Sequence, residues 1–235
     1  QVVGYVHRQE ARGDAHAVGA QVRGLGDERV DLGGTTAVSD SAFRYDKVLT
    51  EVNFRPDLGR LATVEDYAFE DAPIVSAALP DSVTSVGKFA FSGNSSLTRV
   101  HLGLGLTSIG EGAFVGATSL ASLSIAPANS VFTAEDGVLY SKGDAGRTLV
   151  LSLPTNGATE FTVPDGTVAL ADYAFSNNTS LRRVVLPEGL TTIGYGAFDG
   201  CNNLTDIVIP DSVTVARGLV SNGLDTVELG SQVTE

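Results

Sequence analysis

The chain of 235 residues carries 28 acidic and 15 basic side chains, so its formal net charge is −13 at pH 7. This charge disfavours nucleic acid and anionic membrane surfaces as partners, and no apolar run approaches the roughly 20 residues of a membrane-spanning helix. The single cysteine excludes disulfide scaffolds and zinc fingers. Because the chain contains no methionine, we expect it to be a processed or excised piece of a longer protein.

The first 29 residues alternate glycine with charged side chains and share no pattern with the rest of the chain. We predict that residues 1–29 form an N-terminal cap or arm. Within this segment, Arg12, Gly13 and Asp14 form the Arg-Gly-Asp tripeptide, which is the integrin-recognition sequence. The alternative interpretation of this tripeptide is an ordinary glycine turn flanked by solvated charges.

From residue 30 onward, a unit of about 23 residues repeats. Each of six copies contains an Ala-Phe pair, with a branched aliphatic residue four positions before the alanine. After most of these pairs comes a Leu-x-x-Val-x-Leu pattern or a close variant of it, as in Leu97-x-x-Val100-x-Leu102. The six pairs are Ala42-Phe43, Ala68-Phe69, Ala90-Phe91, Ala113-Phe114, Ala174-Phe175 and Ala197-Phe198.

The V-x-L end of each unit alternates apolar and polar residues, which is typical of a short strand with one buried face. In four units Pro or Gly follows and ends the strand, at Pro80, Gly103, Pro187 and Pro210. The next segment, G-x-x-A-F, is too short for an independent helix, and we interpret it as a single helical or 3₁₀ turn whose phenylalanine fills the core. One unit cannot bury its apolar face alone, whereas stacked copies can. The sequence therefore predicts a mostly β repeat solenoid of about nine coils over residues 30–235.

The repeat resembles the BspA-like, or treponemal-type, leucine-rich repeat of bacterial surface proteins. The residues that carry the resemblance include Leu-Pro-Asp-Ser-Val-Thr-Ser-Val-Gly-Lys-Phe-Ala-Phe at 79–91 and Leu-Pro-Glu-Gly-Leu-Thr-Thr-Ile-Gly-Tyr-Gly-Ala-Phe-Asp-Gly-Cys at 186–201. The resemblance implies a right-handed α/β-type solenoid with a parallel sheet on its concave side and short turns at its corners. It also implies a secreted or cell-surface location.

Two regions depart from the simple unit. Residues 126–157 contain two apolar runs around the polar loop 141–147, a pattern that predicts an inserted β-hairpin. In residues 211–235, Leu219-Val220 replaces the Ala-Phe pair, so we predict a degenerate terminal coil there.

The sequence offers no catalytic or cofactor-binding motif. The histidines His7, His16 and His101 have no metal-ligand spacing, and neither a phosphate-binding loop nor a dinucleotide fingerprint occurs. Cys201 occupies a position where the other repeats carry Asp, Ala or Asn, so we interpret it as a structural corner residue and not as a nucleophile. We therefore expect no catalytic residue, no metal and no cofactor.

A solenoid displays one outward side chain per coil at each strand position, and such columns form an extended surface. In each V-x-L motif, the side chain between the two apolar residues and the one directly before them point outward. These outward side chains are a mixed set of mostly polar and small residues, in which Arg99 and Arg183 carry positive charge. An equally acceptable interpretation is a simply solvated sheet, with binding at the loop 142–147 or at the N-terminal segment instead. The predicted ligand-binding residues of the concave face are Glu51, Asn53, Arg99, His101, Ser122, Ser124, Arg183 and Asp206.

The resemblance implies a non-enzymatic adhesion module of a secreted or surface-attached bacterial protein. Its expected partner is a host or microbial surface protein or glycan, with no nucleic acid and no membrane insertion. The alternative is a structural spacer or a binding accessory attached to a separate catalytic domain.

Overall fold

The computed structural model describes residues 28–55, 57, 60–153, 157–218 and 226–228. The chain divides into two compact units, which comprise residues 1–130 and 131–235. Each unit is a stack of β coils, and no α-helix occurs among the described residues. The prediction of a mostly β parallel solenoid is confirmed. The N-terminal segment 1–27 lies outside the described residues, so the predicted cap or arm stays a prediction.

In the first unit, every V-x-L motif forms a short strand. These strands are β1 (Arg29–Asp31), β3 (Glu51–Asn53), β5 (Ser76–Ala78), β7 (Arg99–Leu102) and β9 (Ser122–Ile125). They make two parallel sheets, β1-β3 and β5-β7-β9, and within each sheet a motif lies in register with the motif of the next coil.

The branched aliphatic residue that precedes each Ala-Phe pair forms a second row of strands. These strands have only two residues each, and they make a four-stranded parallel sheet in the order β2-β4-β6-β8. The aliphatic residue is the second residue of each two-residue strand, and Val38, Val64 and Val86 are buried. The members are β2 (Ala37–Val38), β4 (Thr63–Val64), β6 (Ser85–Val86) and β8 (Ser108–Ile109).

The segment around each Ala-Phe pair forms consecutive turns instead of a helix. In residues 39–46, the backbone N–H of Ala42 donates to Ser39 O at 3.1 Å, while the N–H of Phe43 donates to Ala68 O of the next coil at 2.8 Å. Backbone N–H groups in this segment therefore alternate between two roles: one closes a turn within its own coil, and the next donates to the neighbouring coil. The residues two before and two after Phe43, Ser41 and Tyr45, have φ of 56° and 60°, which a helix does not permit.

The second unit contains a four-stranded parallel sheet built from the V-x-L motifs. A six-stranded sheet contains the strands that precede the Ala-Phe pairs of this unit, and it begins with three antiparallel strands, β10, β11 and β12. The strand β12 then pairs in parallel with β14. The V-x-L strands are β13 (Glu160–Thr162), β15 (Arg183–Val185), β17 (Asp206–Val208) and β19 (Thr226–Glu228); the others are β10 (Phe132–Glu135), β11 (Val138–Ser141), β12 (Arg147–Ser152), β14 (Thr167–Leu170), β16 (Thr192–Ile193) and β18 (Val215–Ala216).

The predicted insert at 126–157 thus contains an antiparallel pair, β11 with β12, around residues 142–146. It also contains a second antiparallel pair, β10 with β11, whose tight turn is Asp136-Gly137. Through β12 the insert joins the parallel sheet of the second unit. Of the predicted terminal coil, residues 219–225 and 229–235 lie outside the described part.

The core of each unit contains a stack of the repeat phenylalanines. In the first unit, Phe43, Phe69, Phe91 and Phe114 stack in sequence, with ring centroids 5.2, 5.3 and 5.4 Å apart and planes within 16° of parallel. In the second unit, Phe175 and Phe198 stack at 5.3 Å. Because successive rings lie in register, the core repeats with the coil.

Candidate ligand-binding strand face

The V-x-L strands turn one side toward the core and the other toward solvent. Val100, the valine of the motif in β7, is only 2% exposed, whereas its neighbours Arg99 and His101 are both exposed. This alternation follows from the twofold period of a strand. We call the outward side chains of the V-x-L strands the strand face and describe it separately for each unit.

At the start of the first unit, the charged side chains on and beside the strand face form ion pairs with one another. Arg29 forms an ion pair with Glu51, its partner on the adjacent strand. Arg55 contacts Asp57 at 2.8 Å and Asp31 at 3.4 Å. The hydrogen bond with Arg55 lowers the pKa of Asp57, and the same contact raises the pKa of Arg55. The Nδ2 atom of Asn53 donates to Asp31 Oδ2 at 3.2 Å.

The centre of this strand face has a different character. Arg99 lies between Ser76 and Ser122 on the adjacent strands, and His101 lies between Ala78 and Ser124. His101 Nδ1 and Ser124 Oγ are 3.0 Å apart. Among the described residues, Arg99 forms no ion pair and no side-chain hydrogen bond. Its guanidinium therefore stands in solvent among small neutral side chains.

In the second unit, the strand face combines one ion pair with an apolar pair. Arg183 Nε lies 3.6 Å from Asp206 Oδ2 on the adjacent strand. Val185 and Val208 occupy the next cross-strand position and are 42% and 54% exposed. An exposed valine pair of this kind adds a small apolar patch beside the charged pair.

The eight residues predicted for the ligand face all belong to V-x-L strands, and seven of them are exposed, with Asn53 partly buried. Glu51, Asn53, Arg99, His101, Ser122 and Ser124 lie in the first unit, whereas Arg183 and Asp206 lie in the second. The Arg12-Gly13-Asp14 tripeptide lies outside the described residues, so integrin recognition stays a prediction.

One residue of the loop 142–147, Arg147, packs against the hairpin. Arg147 forms an ion pair with Glu135 at 3.1 Å and lies over the ring of Tyr140 at 4.4 Å. Tyr140 is buried, and desolvation raises the pKa of its hydroxyl. Arg147 therefore stabilises the hairpin, whereas residues 142–145 are exposed.

One surface cluster lies on the turns and not on the strands. The guanidinium of Arg44 lies between the rings of Tyr45 and Tyr67, at 4.8 and 4.7 Å from their centroids, and Tyr67 stacks on Phe89 at 5.5 Å. Arg44 also forms an ion pair with Glu70. Sequence reasoning missed this cluster, although alignment of the repeats places Tyr45 two residues after Phe43 and Tyr67 two residues before Phe69.

Cys201 lies in the core of the second unit and is 0% exposed. Its Sγ donates a hydrogen bond to the backbone oxygen of Phe175 at 3.0 Å. Burial raises the pKa of the thiol to about 12, so the reactive thiolate is disfavoured at neutral pH. In the described part of the chain, no group of three or more His, Cys, Asp or Glu residues could hold a metal ion.

The described residues contain no helix with the length and hydropathy that a bilayer crossing requires. The model of a family described as "BspA type Leucine rich repeat region (6 copies)" matches residues 31–140 and 155–233. No curated protein matches the chain.

Several solved bacterial structures share the fold. The pneumococcal vaccine antigen PcpA is 24% identical with a TM-score of 0.59, over 80% of this chain and 50% of that one. A leucine rich cell surface protein from Faecalibacterium prausnitzii A2-165 is 21% identical with a TM-score of 0.57, over 81% and 68%. A leucine-rich repeat protein from Eubacterium ventriosum is 20% identical with a TM-score of 0.64, over 88% and 68%. The chain thus spans half the length of the first of these proteins.

Proposed function

The chain belongs to the BspA-type leucine-rich repeat family, and we propose that it is a non-enzymatic interaction module of a secreted or surface-attached bacterial protein. In this proposal, the strand face binds a protein or a glycan of a host or microbial surface. The names of two structural neighbours, a vaccine antigen and a cell surface protein, support the surface location.

The observation that carries the proposal is the regular exposure of the strand face. Its side chains stand in rows across adjacent strands, such as Ser76, Arg99 and Ser122. Parallel strands lie about 4.8 Å apart, so each row presents polar groups at a fixed spacing. Surfaces of this kind in repeat proteins are well suited to extended ligands.

The core is built from the inward side chains of the strands and not from the outward ones. The apolar residues of the V-x-L motifs, such as Val100 and Ile207, are already buried on the opposite side of each strand. The outward positions can therefore vary with the ligand while the coil is retained. This separation of roles leaves the strand face available for recognition.

The test is a binding screen of the full chain against matrix proteins, glycans and whole cells, followed by charge reversal. Arg99→Glu combined with Arg183→Glu changes the strand face of both units. We expect this double variant to lose binding to any ligand that the screen identifies. The matched control is Lys88→Glu combined with Arg217→Glu, which makes the same charge change at exposed positions outside the V-x-L strands.

Equal binding by the double variant and the control would refute the strand face as the binding surface. A chain that binds no ligand in the screen would favour the spacer role. Thermal unfolding of both variants would verify that any loss of binding does not arise from unfolding.

A further inference from the structure

The cations of the strand face differ in what lies opposite them on the adjacent strand. Arg29 faces Glu51 and Arg183 faces Asp206, and both form ion pairs. Arg99 faces Ser76 on one side and Ser122 on the other. In a chain with 28 acidic residues, these two cross-strand positions carry hydroxyls and leave the guanidinium free for an external anion.

The surroundings of Arg99 supply further hydrogen-bonding groups. The Ser76 and Ser122 hydroxyls belong to the same cross-strand row as Arg99, and the hydrogen-bonded pair of His101 and Ser124 belongs to the next row. Hydroxyl and imidazole groups can both donate and accept hydrogen bonds. A guanidinium can bind a carboxylate through two parallel hydrogen bonds.

We propose that this part of the first unit binds an oligosaccharide with a single acidic sugar, whose carboxylate pairs with Arg99 and whose hydroxyls bond to the neighbouring serines and His101. The inference rests on the proposed function, because it takes the strand face as the ligand-binding surface. It specifies the class of ligand and the residue that anchors it.

Two observations favour a glycan over an acidic peptide. Ala78 is the only apolar outward side chain beside Arg99 and His101 among their cross-strand neighbours, whereas protein partners usually gain affinity from aromatic or aliphatic anchors. The net charge of −13 opposes polyanions through long-range repulsion. A neutral sugar chain with one carboxylate avoids that repulsion and still uses the free guanidinium.

The experiment measures binding of the full chain to oligosaccharides that end in one sialic or one uronic acid, each beside its neutral counterpart. We expect at least one acidic oligosaccharide to bind at least tenfold more tightly than its counterpart, because charge-assisted hydrogen bonds contribute to affinity on this scale. Arg99→Gln should weaken that binding about tenfold or more, and Arg99→Lys should weaken it less. Arg29→Gln, which alters a paired cation of the same face, should change it less than about twofold.

The inference fails if no acidic oligosaccharide binds better than its neutral counterpart, or if Arg99→Gln binds like the unchanged chain. It also fails if an acidic peptide is the ligand that depends on Arg99. A ligand from the screen that is lost on Arg183→Glu but kept on Arg99→Gln would overturn this inference and leave the proposed function standing. A ligand that is indifferent to both substitutions would overturn the proposed function as well.

Discussion

Loss of one ring from the centre of the phenylalanine stack tests the view that the repeated core stabilises the first unit. Phe91 is 0% exposed and stacks on Phe69 at 5.3 Å and on Phe114 at 5.4 Å. Replacement of a buried phenylalanine by alanine typically costs about 3–5 kcal/mol. Each aromatic pair adds roughly 0.5–1.5 kcal/mol beyond the buried area. The cost of Phe91→Ala in free energy of unfolding should therefore lie at the upper end of this range, near about 5 kcal/mol.

The matched control is Phe43, which is only partly buried and stacks on Phe69 alone among the described residues. Phe43→Ala should cost about half as much, roughly 2 kcal/mol. Proteins are stable by only about 5–15 kcal/mol, so Phe91→Leu, with an expected cost of about 2 kcal/mol, keeps the comparison measurable if Phe91→Ala fails to fold.

Urea unfolding followed by far-UV circular dichroism measures the change in the free energy of unfolding. Amide hydrogen exchange adds a local reading, since the N–H of Phe91 donates to Ala113 O at 2.8 Å. A ring removed from the centre should speed exchange in the coils on both sides. Phe43→Leu is the control for Phe91→Leu. If these two variants lower the free energy of unfolding by the same amount, within about 0.5 kcal/mol, the stack does not stabilise the unit in the way described.

Two further predictions concern the turns and the buried thiol. Gly112→Ala should lower the free energy of unfolding by about 2–4 kcal/mol, because φ is +60° and the new Cβ would lie 2.4 Å from Phe89 Cε1. In a Phe89→Ala background, which removes that ring, the same change should cost only about 1 kcal/mol. A double-mutant cycle measured by urea unfolding checks this difference. The pKa of Cys201 is raised from 9.0 to about 12, so the unfolded state releases this proton first and stability should fall as pH rises from about 9 toward 12. Comparison with Cys201→Ala isolates the effect from other alkaline titrations, and equal slopes in the two proteins over this window would contradict it.

The strands of the V-x-L motifs could be predicted in detail from the sequence. The alternation of Arg99, Val100 and His101 gives both the strand and the side that it buries, because a strand has only two faces. The second row was harder to predict. In the first unit its strands have two residues each, as in Ser85–Val86, and a pattern of that length has no recognisable period.

The hydrophobic pattern does not determine the backbone conformation of the turns around the Ala-Phe pairs. The residues two before and two after the phenylalanine have positive φ in every one of the six copies, for example Gly112 and Gly116 around Phe114. Glycine is favoured at positive φ, so the glycines at these two positions of the repeat indicated the turn conformation. This indication was obscured because other copies place Tyr67 and Asp71 at the same positions.

The pairing of the insert could not be derived locally either. The two apolar runs of residues 126–157 predicted one antiparallel pair, but the parallel contact between β12 and β14 joins Leu149 to Leu170. Nothing within the hairpin sequence specifies a partner 21 residues away. Such contacts depend on the stacking of whole coils.

The structure also accounts for part of the acidic character of the chain. Several carboxylates accept backbone hydrogen bonds: Asp66 from Lys88 N at 2.7 Å, Asp172 from Tyr195 N at 2.6 Å and Asp81 from Leu104 N at 2.8 Å. Each of these bonds joins one coil to the next. Lysine and arginine side chains have no acceptor, so they cannot take these positions. An acceptor is therefore required at these positions of the coil-to-coil framework, and these three aspartates supply it. The acidic-sugar site that we propose rests on a different feature, which is that Arg99 faces a serine and not a carboxylate on both adjacent strands.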